Sequence, residues 1–357
     1  MNISPQPSVR EQLDSIAARR ILVLDGAMGT MIQAYRLPSG EPLSESDFRG
    51  SRFANHPVNL KGCNDVLCLT KPEVIDSIHE TYLEAGADII ETCSFNSTSI
   101  SLSGYGIAGL AREISAAAAS IARKAADRFS TADKPRFVAG SIGPTSKSGS
   151  MSPDIDDPGK RAVTWDELEA AFYDNARGLL DGGADILLIE TVFDTLNAKA
   201  AIAAVKRLEA ERQIAVPLMI SATVSDASGR VLSGQTMEAF CVSVIHAKPW
   251  SIGLNCSFGA KNLIAPIRRL SEIAPCLVSA HPNAGLPNQL GLYDETPETM
   301  CRHIEEYMKE GLANILGGCC GSTSAHIAAI ARAAKAYKPR AVPAAGKRGM
   351  ALAGLEA

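Results

Sequence analysis

Two stretches, EAGADIIET at 84–92 and DGGADILLIET at 181–191, decide the fold. Each reads as the end of a helix, a glycine turn and a short apolar run that closes on Glu-Thr. Glycine lets a chain leave a helix through the left-handed conformation. An apolar run with no polar alternation is what a strand covered on both faces shows. The near-identity of the two stretches hints at internal similarity between two strand–helix units. Outward from them the same features recur. Apolar runs stand at 21–24, 88–90, 137–139, 186–189, 218–222, 252–254, 277–280 and 314–316. Helical patterns lie near 72–85, 109–128, 166–182, 196–212, 236–246, 260–273, 297–311 and 323–336. Thr70 with Glu73, and Thr164 with Glu167, have capping-box spacing, and Pro297 follows Thr296 at a first helical position. Eight alternations predict an α/β chain built as a single (β/α)8 TIM barrel, against the alternative of a six-stranded open sheet with an extra domain.

The remaining 1–20 predict an N-terminal helical extension capping the bottom of a barrel at 21–337. Residues 338–357, rich in Ala, Gly and Pro, read as a flexible tail or linker remnant. Of the 357 residues, 46% are hydrophobic and 21% charged, enough for a sizeable core. The 35 basic and 39 acidic side chains leave a net charge of -4, so no basic field draws nucleic acid or an anionic membrane. The apolar runs fall far short of the ~20 residues that span a bilayer. The first residues lack the basic-then-apolar pattern of a signal peptide. Nine cysteines, an odd count, then point to a reducing, cytoplasmic setting with free thiols.

Active sites of such barrels lie at the C-terminal ends of the strands. Polar and thiol groups collect there: Asp25 after the first run, Glu91-Thr92-Cys93 after the second, Glu190-Thr191 after the fourth. Asn255-Cys256 follow the sixth, His281 the seventh and Cys319-Cys320 the eighth. Cys256, after the sixth run, and Cys319-Cys320, after the eighth, are near neighbours around the barrel mouth and would suit zinc, with a fourth tetrahedral position open for substrate. Three thiolates leave such a zinc a poor activator of water but a good holder of a substrate thiolate, which points to S-alkyl transfer to a thiol. Asp25 and Glu190 could bind an ammonium group, and the amides of Gly26–Gly29 a carboxylate. Two other readings remain open. The GGCCGST turn at 317–323 could bind phosphate, or the zinc could sit in a closed four-ligand structural site.

The segments LDGAMGTMIQ (24–33), NDVLCLTKPEVI (64–75), GADIIETCSFNSTSISLSGYG (86–106), GSIGPT (140–145), GLNCSFGA (253–260), SAHPNAGLPN (279–288), YDETPE (293–298) and GGCCGST (317–323) resemble the homocysteine-binding module of cobalamin-dependent methionine synthase, over roughly 15–336. The resemblance implies a zinc-dependent homocysteine S-methyltransferase with zinc on Cys256, Cys319 and Cys320, whose open position the homocysteine sulfur fills. It also implies that Asp25 and Glu190 bind the substrate amino group and the amides around Ala27 and Met28, next to Gly26, its carboxylate. Asn255 would line the site or fill the vacant metal position. No histidine has Asp two residues before it, so the Asp-x-His-x-x-Gly cobalamin motif is absent. Methylcobalamin would therefore come from a separate cobalamin- and folate-binding protein or module, the chain being a split subunit or a truncated piece. A stand-alone enzyme using S-methylmethionine or betaine is the alternative.

Overall fold

The computed structural model describes residues 8–226, 228–289, 291–343 and 350–357. Its parallel strands are β1 (Leu22–Val23), β2 (Ile89–Glu91), β3 (Phe137–Ile142), β4 (Ile186–Val192), β5 (Leu218–Ala222), β6 (Ser251–Gly259), β7 (Leu277–Asn283) and β8 (Ile315–Leu316). They pair in sequence order, and β1 pairs with β8. Leu24 bridges Ile89, and the Asp25 N–H donates to the Ile89 carbonyl at 3.1 Å, which joins β1 to β2 and closes the barrel. The helices are α1 (Val9–Ala17), α2 (Met28–Ala34), α3 (Glu45–Arg49), α4 (Leu67–Thr70), α5 (Pro72–Ala85), α6 (Ser99–Leu102), α7 (Ala111–Phe129), α8 (Trp165–Asp181), α9 (Thr195–Arg212), α10 (Met237–Val244), α11 (Ala260–Ile273), α12 (Pro297–Lys309) and α13 (Ser324–Ala334).

The repeated Gly-Ala-Asp has a physical reason. Gly86 and Gly183 turn the chain with φ of 109° and 99°. The aspartate that follows pins the start of the neighbouring strand. Asp88 accepts the Val23 N–H at 2.9 Å and both guanidinium nitrogens of Arg20, at 2.6 and 2.9 Å. Asp185 accepts the Val138 N–H at 2.8 Å and the Arg123 guanidinium at 2.6 Å. These carboxylates satisfy strand-end donors that would otherwise be buried unpaired.

The lower lumen is filled by Leu22, Leu24, Ile89, Phe137, Ala139, Ile186, Leu188, Met219, Trp250 and Ile315, with Leu13, Ile16 and Ala17 of α1 plugged beneath them. The Trp250 indole N–H donates to Asp14 of α1 at 2.8 Å, which holds the plug in place. Leu188→Ala would open a cavity in this layer, and chemical denaturation should show a loss of about 2–5 kcal/mol with the rim thiols left in place.

Packing runs three residues past the barrel boundary of 337 expected from sequence. The Arg340 guanidinium is buried, donating to the carbonyls of Cys276 at 2.8 Å and Ala274 at 2.7 Å. Residues 1–7 of the expected extension and 344–349 of the expected tail lie outside the described residues.

Candidate active site

Side chains alternate along a strand. The lumen positions one step above the apolar layer are therefore Glu91, Ser141, Glu190, Ser221, Asn255 and His281, while Ile90, Leu187, Ile189, Ile252, Leu254, Val278 and Ala280 face the helices. A polar storey thus stands on an apolar one. Asn255 organises it. Its Oδ1 accepts the Thr191 N–H at 2.9 Å and the Ser221 hydroxyl at 2.7 Å. Its Nδ2 donates to Glu190 at 3.2 Å, to the Thr191 hydroxyl at 2.8 Å and towards the Cys319 sulfur at 3.9 Å. Both lone pairs of Oδ1 are taken, so Asn255 here positions its neighbours rather than offering a ligand atom.

The strand bends where the chemistry begins. Cys256 and Ser257 both have φ of 62°, and Thr191 at the matching point of β4 has φ of 55°. Non-glycine residues held left-handed are costly and cluster at functional sites. The bend shifts the β6–β7 register between Asn255 and Gly259 and turns Cys256 towards β8. There the sulfurs of Cys256, Cys319 and Cys320 lie within 4.8 Å of one another, with Cys256 and Cys320 3.8 Å apart. Zinc bound tetrahedrally at Zn–S ~2.3 Å needs sulfurs about 3.8 Å apart, so the three thiols fit the ion. Hydrogen bonds from Cys256, Cys319 and Tyr293 draw the Cys320 thiol down to about 3. Cys256 is pulled down by Cys319 but pushed up more by donating to Cys320 and by burial, and ends at about 11. Cys320 is thus the thiol of the three that gives up its proton most readily. Among the described residues this group holds three protein ligands and no fourth, which counts against a closed structural site.

The other predicted residues converge on the same end. Asp25 is 2% exposed; its Oδ2 accepts the Glu91 N–H at 3.0 Å, and its Oδ1 has no partner. Burial, with the Glu190 charge nearby, pushes the Asp25 carboxyl well up. Burial also lifts Glu190 to about 7, against the lowering hydrogen bond from Ser141. Ala27 differs from expectation. Its N–H already donates to the Ser322 hydroxyl at 3.2 Å. The start of α2 at Met28 has no side-chain cap. A Cβ on Gly26 would come within 2.7 Å of that same Ser322 hydroxyl.

The phosphate reading loses most of its donors. In the turn at 317–323 the amides of Gly317, Gly318, Cys319, Gly321, Ser322 and Thr323 are all spent, on Ala280, Asp25, Pro282, Thr30, Cys319 and His326 respectively. Sequence reading placed Glu91 and His281 on the rim but gave them no role, and it missed Tyr293. The signal for Glu91 was present, since it occupies in the first repeat the place Glu190 holds in the second. Tyr293 packs on Gly321, where a Cβ would come within 2.3 Å of it.

No helix among the described residues is long and apolar enough to cross a membrane. The barrel is similar to the crystal structure of the homocysteine methyltransferase MmuM from Escherichia coli. In its metallated form the identity is 23% and the TM-score 0.67, over 91% of this chain and 99% of that one. The oxidized form gives 22% and 0.68, and the apo form 21% and 0.62, over the same shares. These likenesses show a shared fold. The family model described as homocysteine S-methyltransferase matches residues 22–334, nearly the whole barrel, and the chain is a methyltransferase that belongs to the homocysteine S-methyltransferase family.

Proposed function

We propose that the protein methylates homocysteine to methionine at a zinc site formed by Cys256, Cys319 and Cys320. The observation that carries this reading is the 3.8 Å spacing of Cys256 and Cys320 beside a third sulfur, two buried carboxyl groups, Asp25 and Glu190, and the half-buried Glu91. Zinc, when bound, supplies a Lewis acid that keeps the substrate sulfur as thiolate, the nucleophile that attacks the methyl group. The chain's own residues do the rest. Asp25 and Glu190 offer carboxylate oxygens to the substrate ammonium. The uncapped amides at the start of α2, from Met28 on, face the role of receiving its carboxylate. Asn255 fixes Glu190 and Cys319 relative to each other, so that the ammonium and sulfur subsites keep one spacing. None of the nine cysteines forms a disulfide among the described residues, which accords with a reducing compartment such as the cytoplasm.

The rim of the barrel is where a methyl donor must approach. The sequence segments shared with cobalamin-dependent methionine synthase support methylcobalamin carried by another module or protein, with the barrel at 21–337 as the homocysteine unit. The alternative reading is a stand-alone enzyme, in which a small donor such as S-methylmethionine or betaine is used directly. Parallel assays with homocysteine and each of the three donors separate the two: turnover with methylcobalamin alone supports the first, turnover with a small donor the second. Asp25→Asn and Glu190→Gln should each weaken homocysteine binding about tenfold or more while zinc content stays unchanged, measured by calorimetry and metal analysis. Unchanged homocysteine affinity would refute the ammonium role.

Binding should also release protons. The thiol gives up one on becoming thiolate. Glu190, raised to about 7, must give up another wherever it is still protonated, because the arriving ammonium favours its charged form. Release should therefore exceed one proton per chain at pH 6 and decrease as the pH rises past 7, with Asp25, also pushed well up by burial, adding to it wherever it is still protonated. Calorimetry in buffers of different ionisation enthalpy measures it, and zero release would contradict the account.

A further inference from the structure

The two repeats that set the fold both end in Glu-Thr, and the structure brings both glutamates into the lumen. Glu91, Glu190 and His281 place a carboxylate or imidazole atom within 4.8 Å of one another. Three polar atoms here are buried with no partner: Oε1 of Glu91, Oδ1 of Asp25 and Nε2 of His281. Asp25 is 2% exposed and His281 1%. The His281 Nδ1 stands 3.9 Å from that same Glu91 oxygen, too far for a hydrogen bond. Unpaired buried oxygens cost free energy unless a donor arrives to fill them. An ammonium group carries three N–H donors, and Asp25, Glu91 and Glu190 are three carboxylates around one space. His281, kept neutral by burial, which takes it down to about 3, walls this space without adding a competing positive charge.

We propose that Glu91, with His281 beside it, is the third carboxylate of the cradle for the substrate ammonium, and that it makes the site demand an α-amino thiol over a plain thiol acid. This rests on the ammonium role given above to Asp25 and Glu190. A site whose buried acceptors expect a donor rejects an analogue that lacks it, because those acceptors are then left desolvated and unpaired.

The test uses the full chain loaded with zinc and two ligands in calorimetry, homocysteine and 4-mercaptobutanoate, which is homocysteine without its amino group. Glu91→Gln should weaken homocysteine about 10–100-fold and change 4-mercaptobutanoate less than about twofold, with zinc stoichiometry as in the wild type. Equal weakening of both ligands would show a merely structural role and overturn the proposal, as would no weakening of either. A fall in zinc content would place Glu91 at the metal and overturn it as well. If the wild type itself binds the two ligands equally, it is the ammonium cradle as a whole that fails, and Asp25→Asn would then be silent too. Should E91Q not accumulate folded, Glu91→Asp keeps the charge but withdraws it by one carbon, and the same loss for homocysteine alone is expected.

Discussion

Cys320→Ser should abolish methyl transfer and strip the bound zinc while leaving the barrel folded. The Cys320 sulfur accepts from both other thiols and carries the most readily formed negative charge of the three. A serine hydroxyl at that place has no accessible anion at neutral pH and a harder, shorter donor. Structural zinc sites are worth about 10–16 kcal/mol over four ligands, so losing one of them costs roughly 3–4 kcal/mol, or about 10²–10³-fold in zinc affinity. Activity should fall at least as far. Metal analysis after dialysis and a methyl-transfer assay measure both losses. The fold is insulated, because the apolar layer that closes the barrel lies a full storey below the thiols. The thermal melts of metal-free wild type and C320S should coincide, the metal-free comparison being needed because bound zinc stabilises by mass action. A collapsed fold in C320S would mean that the thiols serve structure.

Gly253→Ala should do the opposite, damaging the fold and through it the site. Gly253 lies on β6 at a lumen position, two residues before Asn255. A Cβ there would come within 2.0 Å of the Ser279 hydroxyl and 2.3 Å of the Ser279 carbonyl oxygen. The hydroxyl can rotate away, but the carbonyl belongs to β7, whose backbone is paired with β6 at Gly253 and Ser279. One of the two strands must give. Overpacking a buried layer costs typically 1–3 kcal/mol, and a clash with backbone belongs at or above the top of that range. We expect about 3 kcal/mol and a melting temperature lower by about 5 °C or more. The movement also displaces Asn255 and Cys256, so zinc affinity should drop although no ligand was changed. A G253A protein with wild-type melting and zinc affinity would contradict the placement of β6 against β7.

Much of this was legible in the sequence, for reasons that differ by residue. The eight strands could be read because each is covered on both faces and is mostly apolar until its C-terminal end. The three cysteines and the two carboxylates Asp25 and Glu190 stood at those ends, where a barrel puts its chemistry. What could not be read was sidedness and reach. Glu91 was visible but took on a role only once period two along β2 put it in the lumen over Ile89. Asn255 read as lining the site or filling the vacant metal position, and it lines the site with both lone pairs of its Oδ1 spent on Thr191 and Ser221. The Ala27 amide read as free, but Ser322, almost three hundred residues later, takes it. The short helices α2, α3, α4 and α6 went unseen, being too brief to show a period of 3.6. Contacts far apart in sequence leave no local pattern, and the end of β6 followed backbone strain that no apolar run announces.

The central claim is that three protein sulfurs hold a metal with one place left for the substrate's sulfur. X-ray absorption at the zinc edge on the purified protein, before and after adding homocysteine, tests this most directly. The account predicts about three sulfurs near 2.3 Å with one lighter neighbour in the free enzyme, and four sulfurs with homocysteine bound. A zinc site with four sulfurs from the start, or one whose sulfur count does not change on adding homocysteine, would contradict it.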